Sequence, residues 1–471
     1  MESQTRFTCR LSIVLLALSL TAGATFGQRK GNASDEAAAA PVASSAFDQK
    51  RFDSLRTEGF DALYNLDYEV ARRHFKEMTR LFPDHPAGFQ FLGATLWVQT
   101  LNESRRLQAS LYNTEAFYAK SEEKTDPKIV AEFRELTRQA KQLAEARIRR
   151  NPKDVEALYF LGATEGLKAA FAGAVERSFM SALRDGQDSV ERHREVLKLD
   201  PEFHDAELTI GMYDYVVSTL PPIVKVMAAV GGIRGSKKRG LETLARVTRE
   251  GRWAQDDAKT LLIALLKRER RFTEALALAR SLMTKYPRNY LYKLEVADAL
   301  VSQAALDRPA NATTAANFER EAFQIFDDLL RPERTTHAPA RRGAANAAAA
   351  AAAASATRPL DQIYFSYGQA LFITGQFERA AKEYLSGANF AGAEPGLATM
   401  SRLRAAQSLD LAGKRDAALE QYKLVLTRPN IYDSHEEAKH GLREPFKKAV
   451  VASPTAETSD SGEVLKKENE Q

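Results

Sequence analysis

Apolar and small residues recur at helical spacing in the stretch 361–394, in two short blocks that meet at Gly375. The side chains at this spacing are Tyr367, Gly368 and Leu371 in the first block and Phe377, Ala380 and Tyr384 in the second. Recurrence at intervals of three and four residues predicts amphipathic helices. A small residue between large ones lets two helices cross closely. The pattern therefore predicts a hairpin of two short helices.

The large–small–large order resembles the tetratricopeptide repeat, a 34-residue helix–turn–helix unit. The stretch 52–85 fits the same pattern, with the key positions occupied by Gly59, Tyr68, Ala71, Phe75 and Pro83. Proline cannot continue a helix, so Pro83 ends the second helix of this unit. The resemblance implies that the hairpins stack into an α-solenoid.

A fixed spacing joins each unit to the next. Ten residues separate a proline from the following small residue in the pairs Pro83–Gly93, Pro152–Gly162, Pro201–Gly211 and Pro287–Ala297. The pentapeptide FLGAT occurs at both 91–95 and 160–164. Self-similarity at a fixed period is the sequence signature of a repeat array.

The spacing within units is irregular. The excess in 162–201 predicts two helices that are each longer by about two turns. The longer stretch 211–287 contains a further unit at 256–289. Period-two alternation of β-branched residues is missing from the sequence, so we predict an all-α solenoid of tetratricopeptide-like repeats with irregular inserts near 97–128 and 217–240.

Composition divides the chain into six segments. The array should occupy 50–330, and a pair of repeats with a capping helix from Asp433 or Ser434 should occupy 358–448. The alanine-rich stretch 331–357 favours helix but has no amphipathic face, which predicts a flexible linker. The tail 449–471 and the small, polar stretch 25–49 are expected to be disordered.

Residues 1–24 have the pattern of a secretory signal. Arg6 and Arg10 precede an apolar run at 11–20, and small residues lead to a cleavage site near Ala24. An uncleaved anchor is the alternative, although the run is shorter than a spanning helix needs. We expect an exported protein, periplasmic or associated with the cell envelope. The only cysteine, Cys9, would leave with the signal.

The stretch 211–240 departs from the repeat. It contains the helix break Pro221-Pro222, an apolar segment at 223–230 and a glycine-rich basic loop with Arg234, Lys237, Lys238 and Arg239. Within 150–290 this combination resembles the insert of the tetratricopeptide-39-type family, which implies an all-α scaffold without a defined reaction. Three alternatives remain for the insert: core filling, a membrane or anion contact, or a partner-binding lip.

Motifs for catalysis are absent from the sequence. The seven histidines form no His-Glu-x-x-His pair or Cys/His cluster, and a nucleophile elbow is lacking. We therefore predict a non-enzyme that uses no cofactor or metal. The basic cluster 267–271 is expected to be a solvated turn, and the net charge of +5 does not imply a nucleic-acid partner.

The leading hypothesis is a scaffold that binds a protein or peptide in its concave groove. The resemblance implies that the groove positions are Tyr159, Leu208, Met212, Tyr215, Phe365, Gln369 and Phe372. Packing within the inner layer is the other explanation for the same residues. The alternative function is association with a membrane surface through the apolar and basic segment 216–240.

Overall fold

A computed structural model describes residues 47–107, 125–220, 234–336 and 359–447, together with Lys225. The predicted signal peptide, most of the tether and linker, the tail, and much of both inserts lie outside these residues. The chain divides into the compact units Met1–Phe47 and Asp48–Gln471, and the second unit contains every helix described below.

The first four helix hairpins of this unit follow one another along the chain. They are α1 Gln49–Tyr64 with α2 Tyr68–Leu81, α3 Ala87–Glu103 with α4 Pro127–Arg150, α5 Val155–Ala174 with α6 Phe179–Leu199, and α7 Glu207–Ser218 with α8 Lys237–Glu250. A 3-10 turn, His204–Ala206, leads into α7.

Four further hairpins and a final helix complete the array. They are α9 Gln255–Arg268 with α10 Phe272–Lys285, α11 Tyr290–Asp307 with α12 Ala312–Thr336, α13 Leu360–Ile373 with α14 Phe377–Ala388, α15 Pro395–Leu411 with α16 Arg415–Leu426, and α17 Ser434–Arg443. The described residues contain no strand. The predicted all-α solenoid of tetratricopeptide-like hairpins is confirmed.

The glycines of the repeat pattern mark the helix crossings. A Cβ atom added at Gly368 would lie 2.7 Å from the ring of Tyr384, and one added at Gly59 would lie 2.3 Å from Phe75. Only a residue without a side chain allows the aromatic ring to lie this close to the opposite helix. The large–small–large pattern therefore corresponds to a packing contact between the two helices of a hairpin.

Several details of the predicted spacing also hold. Helices α5 and α6 have 20 and 21 residues, compared with 14 and 12 in α13 and α14. The unit predicted at 256–289 forms α9 and α10, and the capping helix begins at Ser434. Helix α12 continues to Thr336, so its end lies within the predicted linker 331–357; residues 337–358 lie outside the described residues.

The first helix of each later hairpin belongs to an inner layer. In α13 every residue of Leu360–Gly368 is buried. In the paired helix α14 burial is concentrated on the face that carries Ala380, Ala381 and Tyr384. An amphipathic helix with one buried face covers the core from outside. The second helices therefore form an outer layer.

The N-terminal hairpins contact helices much further along the chain. The Tyr64 hydroxyl donates to Asp257 at 2.6 Å, and the Asn289 amide donates to the Tyr64 carbonyl at 2.7 Å. At the end of α3, the Arg105 guanidinium lies 3.0 Å from the carboxylate of Asp361. These polar bonds connect the start of the array to its inner layer.

Among the described helices, none is both long and apolar enough to span a membrane.

Candidate functional site

Tyr159 of α5 lies in an aromatic cluster. Its ring centroid is 4.9 Å from Phe203, 5.3 Å from His193 and 5.6 Å from Trp253. The guanidinium of Arg56 lies 5.3 Å from the ring centroid of Trp253. Burial, together with the nearby carboxylate of Asp205, raises the pKa of the Tyr159 hydroxyl well above its ordinary value. The chain's own side chains thus surround this predicted groove position.

Asp205 fixes the loop that carries Trp253. Its carboxylate accepts hydrogen bonds from the backbone N–H groups of Arg252 at 3.1 Å, Trp253 at 2.8 Å and Ala254 at 2.7 Å. A buried carboxylate needs such donors to offset the loss of water. This acidic residue has a structural role at the start of α9.

Asp257 forms the polar contact between α1 and α9. The half-buried carboxyl lies beneath the Tyr64 hydroxyl. Burial, together with the smaller effect of the nearby carboxylates of Asp256 and Asp205, raises the pKa of Asp257 to about 6, although the bond from Tyr64 opposes the shift. The sequence contained no indication of this contact, because the two residues are 193 positions apart.

The predicted groove residues of α7 differ in exposure. Tyr215 is only 1% exposed, and its hydroxyl donates to Glu269 at 2.7 Å. Leu208 and Met212 are half-buried against the core formed with α8 and α9. Val216, one turn beyond Met212, is 36% exposed. Leu208, Met212 and Val216 follow one another at intervals of four, so they form a single stripe along the helix, which we call the α7 stripe.

The predicted groove residues of α13 lie in a different core cluster from those of α7. Phe365 is buried, with its ring centroid 5.4 Å from that of Tyr384. Gln369 accepts a hydrogen bond from the Tyr384 hydroxyl at 3.0 Å. Phe372 is half-buried beside Phe377. Inner-layer packing, one of the two explanations left open by the sequence, describes Tyr215 and Phe365.

The basic cluster at the start of α8 is largely engaged within the chain. Lys237 lies 3.0 Å from Glu269, and Arg239 bonds Asp214 at 2.7 Å. Cations are unfavourable at a helix N-terminus, so these carboxylates offset an electrostatic penalty. Arg234 and Lys238 remain exposed to solvent. Lys238 lies 3.9 Å from Glu242, which is exposed on the same helix. Among the described residues, Arg234 and Lys238 are therefore the two of the proposed membrane or anion contact that are not paired with another helix.

The prediction that 267–271 is a solvated turn is wrong for Lys267. The side chain is buried, with its ammonium 2.5 Å from Glu295 and also paired with Asp298. Burial would lower the pKa of Lys267, but the two carboxylates outweigh it and raise the pKa. Lys267 is at position 12 of the repeat 256–289, and position 12 lies on the inner face. Its burial could have been predicted from this position in the repeat.

Three carboxylates, Glu165, Asp185 and Asp188, come close enough together to resemble a metal site. However, Glu165 already bonds Lys141 at 2.7 Å and Lys168 at 2.5 Å. Burial opposes ionisation of Glu165, but these lysines lower its pKa. The ammonium groups supply the positive charge that a metal ion would otherwise bring, so the cluster reads as an ion-pair network.

An open groove of about 730 Å³ runs along the outer layer, between α14 and the end of α15. Its lining consists of Glu378, Arg379, Ala381, Lys382, Leu385, Ser386, Asn389, Leu409 and Lys414. This surface was not predicted from the sequence, because the repeat pattern indicates the concave inner face as the binding face. We call it the α14 groove.

Together these hairpins define an all-α solenoid of tetratricopeptide-like repeats. No protein-family model and no curated protein matches the chain. Among solved structures, a human IFIT1 dimer with m7Gppp-AAAA is similar at 13% identity over 81% of this chain and 95% of that chain, with a TM-score of 0.29. Yeast Tom70 is similar at 10% identity over 84% and 88%, with a TM-score of 0.35. At such scores the assignment rests on the hairpins of this chain itself.

Proposed function

We propose that this protein is an exported, non-catalytic repeat scaffold that binds a protein or peptide partner through the α7 stripe. The observation that carries the proposal is the increase in exposure along the stripe, from half-buried Leu208 and Met212 to exposed Val216. Met and aliphatic side chains at the edge of a groove suit an apolar face of a partner helix or peptide. Export is inferred from the signal pattern of residues 1–24.

The engagement of the buried ionisable groups supports a binding role over catalysis. Asp205 accepts three backbone N–H bonds, and Lys267 lies between two carboxylates. Asp257 is held by Tyr64. A catalytic acid or base must reach its substrate. These groups instead hold helices together, and we propose no cofactor or metal.

Affinity capture from an envelope extract tests the stripe. The informative variant combines Met212→Ala with Val216→Ser, which removes apolar contact area and keeps the buried Tyr215 in place. The matched control is Leu424→Ser on α16, an outer-layer residue that is 43% exposed. We expect a partner that is retained by the wild type and the control, and at least tenfold less by the stripe variant. Equal recovery with all three proteins would contradict the proposal.

Association with a membrane surface is the alternative, and Arg234 and Lys238 are the residues available for it. Vesicles with anionic headgroups should not co-sediment with the wild type if the partner is a protein. Lipid binding that is lost in Arg234→Glu/Lys238→Glu would favour the alternative. Arg149→Glu/Arg150→Glu at the exposed end of α4 gives the same change in charge. We also expect no binding to a single-stranded oligonucleotide.

A further inference from the structure

Two arginines lie on the α15–α16 hairpin, beside the α14 groove. Arg402 lies in α15, and Arg428 follows the end of α16. Both side chains are partly buried. Burial lowers the pKa of Arg402, and the positive charge of Arg428 lowers it further. Arg428 bonds Thr399, which lies one turn before Arg402 on α15, so the fold places two like charges in the same partly desolvated region.

Neutral oxygens are the hydrogen-bond partners of this pair. Arg402 donates to Gln421 at 3.1 Å and to Asn389 at 2.6 Å. Arg428 donates to the hydroxyl of Thr399 at 3.2 Å. Within the described ranges, neither arginine forms an ion pair with a carboxylate. Two adjacent cations repel each other, so an anion between them would relieve the repulsion.

The arginine pair continues one wall of the groove. Arg402 and Leu409 are seven residues apart on α15, which places them two turns apart on one face. Asn389, the acceptor for Arg402, also lines the groove from α14. The groove thus has Lys414 near one end and the arginine pair at the other.

The lining of the groove combines cations with apolar side chains. Arg379, Lys382 and Lys414 are its basic residues, and Ala381, Leu385 and Leu409 its aliphatic ones. Its one acidic residue, Glu378, is already bonded to Lys414. No residue of the lining is aromatic. Single-stranded nucleic acid usually requires aromatic stacking surfaces, so the groove does not suit such a ligand.

We propose that the α14 groove and the Arg402–Arg428 pair bind an acidic, partly apolar segment of a partner protein. A carboxylate of that segment lies between the two guanidinium groups, and its aliphatic side chains contact Leu385 and Leu409. Guanidinium groups bind carboxylates in a planar, bidentate geometry, which lysine cannot reproduce. This surface is on the outer layer, so it is separate from the α7 stripe and does not depend on it.

Fluorescence anisotropy with a labelled ten-residue peptide of alternating glutamate and leucine tests the proposal. We expect binding by the wild-type protein and at least a tenfold loss of affinity in Arg402→Gln/Arg428→Gln. The control Arg149→Gln/Arg150→Gln removes two exposed arginines from α4 and should bind like the wild type. A peptide with glutamine in place of glutamate should not bind. Absence of binding to the glutamate peptide, or equal affinity for both double variants, overturns the proposal.

Thermal unfolding without peptide provides an independent measurement. Because Arg428→Gln removes the repulsion, it should raise the unfolding midpoint of the free protein, and saturating glutamate peptide should stabilise the wild type more than this variant. A lower midpoint for Arg428→Gln in free protein would mean that the contacts of Arg428 within the chain, such as its bond to Thr399, outweigh the repulsion, which overturns the partner proposal. Binding of an oligonucleotide in place of the peptide would also overturn it.

Discussion

The α13–α14 and α7–α8 hairpins make the same type of crossing in different ways. In α13–α14 the ring of Tyr384 fills the space beside Gly368. In α7–α8 two glycines face each other: a Cβ at Gly240 would lie 2.7 Å from the carbonyl oxygen of Gly211. In the regular hairpin, α13–α14, an aromatic side chain packs between the two helices. In the irregular hairpin, α7–α8, the two backbones contact each other directly.

The two hairpins also differ in their polar contacts. Arg239 of α8 pairs with Asp214 of α7 across the crossing, and Lys237 of α8 pairs with Glu269 at the end of α9. The second helix of the regular hairpin is held mainly by Ala380, Ala381 and Tyr384. Ion pairs thus contribute where the close glycine contact leaves little room for apolar side chains. A segment can be inserted between α7 and α8 because their crossing does not depend on a short turn.

The two hairpins should differ most in the stability that is lost when alanine replaces the glycine at each helix crossing. Gly240→Ala should lower the free energy of unfolding by about 3 kcal/mol, because its Cβ meets the backbone of Gly211, which cannot rotate away. Gly368→Ala should cost less, about 2 kcal/mol, because its Cβ meets the side chain of Tyr384, whose buried ring can shift only in part, and because alanine favours helix. Urea unfolding of both variants measures the difference. A greater loss for Gly368→Ala would reverse the comparison.

The half-buried carboxyl of Asp257 lies at the contact between α1 and α9, outside both hairpins. Its folded-state pKa of about 6 exceeds the ordinary value of 3.8, so the folded protein binds this proton more tightly than the unfolded chain. Its contribution to stability is therefore full below about pH 4 and is lost as the pH rises through 6. Asp257→Asn should be more stable than the wild type at pH 8 by up to about 2 kcal/mol.

Unfolding curves between pH 4 and 8 test this expectation, because the gain from Asp257→Asn should shrink toward the acid end. The control Asp53→Asn changes a carboxylate on α1 whose side chain is 44% exposed, and it should leave most of the pH dependence in place. If Asp257→Asn has the same pH profile as the wild type, Asp257 does not titrate in this range.

The ion pairs of α8 should give an intermediate effect. Arg239→Gln leaves the buried carboxylate of Asp214 without its charged partner and should cost about 1–2 kcal/mol, since the arginine itself is largely exposed. Lys414→Gln breaks an exposed pair with Glu378 and should cost less than about 1 kcal/mol. Denaturant unfolding in low and high salt measures the loss of unfolding free energy for each of the two variants. Equal losses would indicate that burial of Asp214 is unimportant.

The smallest effect is expected at the turns between paired helices. Gly375 and Arg270 occupy corresponding left-handed positions, with φ of 79° and 59°. Glycine adopts this conformation without strain, whereas arginine does not. Arg270→Gly should therefore raise the unfolding free energy by up to about 1 kcal/mol, and Gly375→Ala should lower it by a similar amount. Effects of the opposite sign would show that side-chain contacts dominate these turns.

The sequence predicted the hairpins well because their determinants are local. Gly368 and Tyr384 belong to one repeat, and proline spacing located the junctions. Contacts between distant hairpins were not predictable in this way: Tyr64 meets Asp257, and Arg105 meets Asp361, only after the array has curved. The α14 groove was missed for a related reason. The proximity of Arg402 and Arg428 depends on how α15 and α16 are stacked, which periodicity does not reveal.

Photo-crosslinking tests the central claim, that the irregular hairpin carries a partner-binding surface. A photoreactive residue replaces Val216 on the α7 stripe or, as the control, Leu424 on the outer layer. We predict that irradiation in the cell envelope produces a discrete protein adduct from position 216 that position 424 does not form, and that Met212→Ala weakens it. The same adducts from both positions, or none from position 216, would contradict the account.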